Sequence, residues 1–130
     1  MEADVIPGRR PERAIEIDGA MGELSPFHTT FGYYAHGVSV ETAVLPAGWR
    51  ERLVAVSNAN TRGMTGWCLA PVDLAASKLA AGRDKDIRFV AALLRHGLVA
   101  ITDIRRVASD MPIQTRERIE LNLARCEPAV

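Results

Sequence analysis

From Pro71 on, the hydrophobic period of this chain is helical throughout, and that limits the folds open to it. Before Pro71, one helical stretch apart, the apolar residues come in short runs broken by Gly, Pro and Asn; after it they recur at the three- and four-residue spacing of helices. Glu2 to Ile6 predicts a short strand ended by Pro7-Gly8. Pro11 to Met21 predicts a helix, with Pro11 in its first turn and Ala14, Ile17 and Met21 along one stripe. Ser25 to Gly37 predicts a helical turn followed by a loop. Val38–Leu45 and Arg52–Ser57 read as strands joined by Pro46-Ala47-Gly48, and Trp67-Cys68-Leu69 as a short buried strand. Four helices follow, over 73–81, 84–96, 102–109 and 114–126, the first two stopped by Gly82 and Gly97. Strands first and helices afterwards define an α+β class.

With 130 residues, 48% of them hydrophobic, the chain holds material for one core. The expected organisation is one domain over 1–130, strand-rich over 1–70 and helical over 71–130. The 16 basic and 16 acidic residues cancel, which argues against a polybasic nucleic-acid binder and a disordered chain. No apolar run reaches the ~20 residues of a membrane span, and the first ten residues do not form a signal peptide. Cys68 and Cys126 are far apart and lack metal-ligand spacing. They read as two buried, reduced thiols in a cytoplasmic protein.

Two constellations carry chemistry. Glu2 and Asp4 stand two apart on a strand and so project from one face, where paired carboxylates suit a hard divalent cation, Mg²⁺ or Mn²⁺. The plain alternative is a solvated acidic edge. Lys78 and Asp86 lie on consecutive predicted helices: a compact positive charge fit for phosphate, and a carboxylate able to position it or to bind metal. Here the alternative is a snorkelling lysine and an acid placed on a helix dipole. The stretch from Phe27 to His36 gathers four of the seven aromatic residues with His28 and His36; a zinc site is disfavoured there because no third ligand is near in sequence. No phosphate-cradling glycine-rich loop is present in the sequence.

The combination of Met1-Glu2-Ala3-Asp4-Val5-Ile6-Pro7, Ile17-Asp18-Gly19-Ala20-Met21-Gly22, Ser25-Pro26-Phe27-His28, Gly32-Tyr33-Tyr34-Ala35-His36-Gly37-Val38, Leu45-Pro46-Ala47-Gly48-Trp49 and the run from Asp73 to Asp86 resembles a bacterial family of uncharacterised nucleotidyltransferase-like proteins. That family is related to the abortive-infection toxins of the AbiEii type, the toxin half of type IV toxin–antitoxin pairs. The resemblance implies a nucleotidyltransferase core, a small mixed sheet with helices, followed by a C-terminal helical segment. It puts the metal ligands on Glu2 and Asp4, the catalytic lysine and aspartate on Lys78 and Asp86, and a phosphate-contacting arginine on Arg83. It implies transfer of a nucleoside monophosphate from an NTP, with Mg²⁺ or Mn²⁺, to an RNA or protein acceptor, and an antitoxin protein as partner. In that fold a Gly-Ser motif at a helix start precedes the acidic strand. This chain opens on the acidic strand itself, so the resemblance implies a core truncated before it. The other reading is therefore an inactive remnant serving as an interaction module, oligomeric through the sheet edge that such a loss would expose.

Overall fold

A computed structural model describes residues 2–126. The α+β class holds, and the chain divides into two compact units between Ala43 and Val44. Among the described residues no helix is long and apolar enough to cross a membrane.

The first unit is built on two strands, β1 (Glu2–Val5) and β2 (Tyr34–Gly37), paired in parallel with Glu2 opposite Tyr34 and Asp4 opposite His36. Parallel strands require a crossover, supplied by a 3₁₀ turn at Pro11–Arg13 and helices α1 (Ala14–Met21) and α2 (Pro26–Phe31). Pro26 occupies the first turn of α2, and the Ser25 hydroxyl caps it by accepting from the His28 N–H at 3.2 Å. Helix α1 packs on β2 so closely that a Cβ on Gly37 would collide with the Ala14 carbonyl. The Gly37 N–H instead donates to Asp18 Oδ1 at 3.0 Å, tying strand to helix. Of the apolar side chains described in residues 2–43, Ala35 alone is buried.

The predicted loop before Gly37 is thus replaced by β2, and the predicted strand over 38–45 is absent. In its place Val40–Thr42 forms a 3₁₀ turn closed by Thr42, whose N–H and Oγ1 both donate to the Ser39 carbonyl, the latter at 2.7 Å. Short hydroxyl side chains offer the backbone such local bonds in competition with a ladder.

The second unit holds a hairpin and four helices. Strands β3 (Val54–Val56) and β4 (Gly66–Cys68) pair antiparallel. Contrary to the buried strand predicted at Trp67, this hairpin is exposed throughout: Trp67 is 65% accessible, and Cys68 is an exposed rather than a buried thiol. Helices α3 (Pro71–Ala81), α4 (Asp84–Arg95), α5 (Ile101–Ala108) and α6 (Ile113–Cys126) fall within two residues of their predicted ends. Helix α3 touches each of the other three. Its Ala75, Ala76 and Ala80 let neighbouring helices come close around Leu79, and Val90, Ile104, Ile119, Leu123 and Cys126 close the core. Burying each of the larger side chains contributes about 1.5–3 kcal/mol.

The last carbonyls of α3 are satisfied by α6. Asn122 Nδ2 donates to Leu79 O at 2.8 Å, Arg118 to Ala80 O at 3.2 Å and Arg125 to Gly82 O at 3.2 Å. These are the groups that a helix C-terminus otherwise leaves without partners. Gly82 ends α3 at φ +71°, a left-handed conformation, and a Cβ there would stand 2.5 Å from Asn122 Nδ2.

Candidate functional site

In a parallel ladder, paired residues point to the same side, and alternate residues along each strand do so too. The register therefore gathers Glu2, Asp4, Tyr34 and His36 on one face of the β1–β2 sheet. One ligand atom each from Glu2, Asp4 and His36 lies within 4.8 Å of the others. His36 Nδ1 is 3.8 Å from Glu2 Oε1, and the Tyr34 hydroxyl donates to Glu2 Oε2 at 3.2 Å. Desolvation first, then the bond to Glu2 and the negative charge of Glu2, Glu23 and Asp4, push the Tyr34 phenol above its ordinary pKa, so it remains a donor. The rings of His28, Tyr34 and His36 form a row, with centroids 4.7 and 5.1 Å apart. Beside His36 opens a cleft of about 370 Å³, lined also by Asp18, Gly22, Glu23, Gly37 and Val38.

The donor set fits a divalent cation. Two oxygens on one Mg²⁺ at about 2.1 Å are at most about 4.2 Å apart, so small side-chain rotations close a cluster already within 4.8 Å. Glu2 and Asp4 are exposed, and His36 is partly so, which leaves room for water or substrate oxygen on the remaining positions. Of these residues, the sequence points to the two carboxylates as metal ligands and puts His36 in a loop of the aromatic–histidine stretch, where a zinc site is disfavoured. The signal available for His36 was its i, i+2 spacing from Tyr34, matching that of Glu2 and Asp4, but its meaning depends on the register.

Lys78, Arg83 and Asp86 lie in the helical unit, and the fold brings these three together. Asp86, in the first turn of α4, is fully buried. Its Oδ2 accepts from the Arg83 backbone N–H at 3.2 Å and from Arg83 Nε at 2.7 Å, and Lys78 Nζ lies 3.5 Å from Oδ1. Burial acts to raise the Asp86 pKa, but the Arg83 hydrogen bonds and the two cationic charges outweigh it and hold the carboxyl below its usual value. Lys78 also sits 5.0 Å from the centre of the Phe89 ring. The carboxylate thus fixes a lysine and an arginine whose heads reach solvent, and it serves as the back-bonding cap of α4.

A second buried carboxylate escaped the sequence reading. Asp73, in the first turn of α3, is fully buried and receives Arg52 Nε at 2.9 Å and Nη2 at 2.7 Å; Arg52 Nη2 also donates to Ala47 O at 2.8 Å. This pair ties the segment before β3 to α3.

The first unit carries a carboxylate–imidazole cluster on a two-stranded sheet, and the second a lysine–arginine pair braced by a buried aspartate. Residues 11–123 match the family model described as nucleotidyltransferase of unknown function (DUF6036), and the chain belongs to that family. The matched stretch takes in His36, Lys78, Arg83 and Asp86 and starts beyond β1, which carries Glu2 and Asp4. No curated protein and no solved structure matches the chain.

Proposed function

We propose that this nucleotidyltransferase-like chain is a metal-dependent enzyme that moves a nucleoside monophosphate from an NTP to an RNA or protein acceptor in the cytoplasm, as the toxin member of a toxin–antitoxin pair. The observation that supports it is the Glu2, Asp4 and His36 cluster, with ligand atoms within 4.8 Å, in a chain of a nucleotidyltransferase family. Glu2 and Asp4 hold Mg²⁺ or Mn²⁺, and Tyr34 keeps the Glu2 carboxylate turned toward the shared face. The ion, when bound, supplies charge stabilisation at the transferring phosphoryl group. In the helical unit, Lys78 and Arg83 contribute positive charge for phosphate, and Asp86 holds both side chains in place. An acceptor hydroxyl attacks the α-phosphorus and gives up its proton to solvent, the bond to the β,γ-diphosphate breaks, and pyrophosphate leaves.

Incubation of the protein with α-labelled NTPs, a divalent cation and either RNA or cellular protein tests this. Cation-dependent labelling of one acceptor, lost in Asp4→Ala and reduced in Lys78→Ala, is expected. Absence of labelling on both, together with unchanged metal affinity in Asp4→Ala, overturns it.

The exposed β3–β4 hairpin favours a second reading, a module that pairs with another protein or with its own copy. Isolated two-stranded sheets are marginal in water, and this one presents Trp67 with Val54 and Val56 to solvent. Light scattering tests it: a dimer that dissociates in Val56→Pro supports edge pairing, and a monomer at all concentrations counts against self-association.

A further inference from the structure

We infer that His36 is a third ligand of the cation held by Glu2 and Asp4, and that its imidazole makes the site prefer Mn²⁺ over Mg²⁺. The inference rests on the reading of those carboxylates as ligands and goes beyond it in ligand identity and metal choice.

Three observations carry it. His36 stands opposite Asp4 in the ladder, so the two side chains leave the sheet side by side. A nitrogen of its ring belongs to the set of donors within 4.8 Å, with Nδ1 3.8 Å from Glu2 Oε1. The ring is also held in place: Tyr34 packs against it at 5.1 Å, and the next residue, Gly37, is anchored through its N–H to Asp18. A ligand placed by strand register, ring packing and an anchored neighbour loses little freedom when it coordinates.

The chemistry of the set then ranks Mn²⁺ above Mg²⁺. Mg²⁺ is a hard ion that takes oxygen and gives up water reluctantly. An imidazole nitrogen suits softer first-row ions, while carboxylates and water suit Mg²⁺ and Mn²⁺ alike. Two carboxylates and one imidazole, with the remaining positions open, match an octahedral Mn²⁺ that keeps water or substrate oxygen. Exchange of the imidazole for a group without that nitrogen removes the preference and leaves the carboxylate contribution.

The test uses the full chain and the metals alone. Mn²⁺ binding is read from loss of the free-ion EPR signal, Mg²⁺ binding from competition, and the ligand from electron spin-echo modulation by the imidazole nitrogen on bound Mn²⁺. The wild-type protein is expected to show nitrogen modulation and Mn²⁺ affinity about tenfold or more above that for Mg²⁺. His36→Gln is expected to lose the modulation and about tenfold in Mn²⁺ affinity, with Mg²⁺ affinity changed less than about twofold. Mn²⁺ bound without nitrogen modulation in the wild type, or an unchanged Mn²⁺/Mg²⁺ ratio in His36→Gln, overturns the inference while Asp4→Asn still abolishes binding. If Asp4→Asn leaves both affinities unchanged, the underlying reading of the carboxylates fails as well.

Discussion

Tyr34 and Glu2 face each other across the parallel β1–β2 ladder, and the phenol donates to the carboxylate at 3.2 Å. One oxygen of Glu2 is thereby fixed by a side chain that is not itself in the donor set. Such outer partners govern the affinity of the ligands they orient. Tyr34→Phe keeps the ring packing with His28 and His36 and removes only the hydroxyl. We expect Mn²⁺ affinity to fall about tenfold in calorimetry, with the circular dichroism spectrum unchanged.

Gly37→Ala puts a methyl group into the Ala14 carbonyl and strains the bond from the Gly37 N–H to Asp18. Such overpacking costs about 1–3 kcal/mol. Hydrogen exchange should show faster amides in β2 and α1, the two elements whose packing the methyl group disturbs. Unchanged protection in both would contradict that close packing.

The buried Asp86 makes the helical unit acid-sensitive. Its folded pKa lies below that of the unfolded chain, so the unfolded state takes up this proton first as pH falls. Its contribution is present above the unfolded carboxylate pKa of about 4 and is lost as pH drops through the lower folded value. Asp86→Asn retains an acceptor for the Arg83 N–H and removes the charge. Melting temperatures followed from about pH 6 down to about pH 2 should decline less steeply for the variant than for the wild type.

For the Arg52–Asp73 pair the two single substitutions should differ. Arg52→Ala strands a fully buried carboxylate, whereas Asp73→Ala leaves a guanidinium that is one-third exposed and can turn to water. Breaking a buried pair by removing the partner of the buried charge costs about 3–5 kcal/mol, and losing hydrogen bonds from the more accessible side about 1–3 kcal/mol. Urea unfolding should rank Arg52→Ala as the less stable of the two.

Sequence alone located α3 to α6 because each carries a helical apolar stripe and α3 and α4 end at glycines with positive φ. It failed around residues 33–45 for a different physical reason. The identity of β2 as a strand comes from pairing with β1, some thirty residues away, and local periodicity holds no trace of that partner. Trp67 reads as buried because it is large and apolar, yet the hairpin that carries it stands in solvent. At the site, the i, i+2 spacing of Glu2 and Asp4 was visible locally, as was the nearness of Arg83 to Asp86. The placement of His36 and Tyr34 beside those carboxylates depends on the register, and the Arg52–Asp73 pair on a contact across twenty-one positions.

The capping of α3 by α6 also sets an order of events during synthesis. Asn122, Arg118 and Arg125 lie about forty residues after the carbonyls they satisfy, and Ile119, Leu123 and Cys126 complete the same core. A nascent chain that has extruded α3, α4 and α5 still presents the open flank of α3 to water and to chaperones. Closure waits for Cys126 to clear the ribosome, so a premature stop codon before Arg118 would release a product whose three carbonyls lack their side-chain donors and whose core lacks Ile119, Leu123 and Cys126, a target for proteolysis.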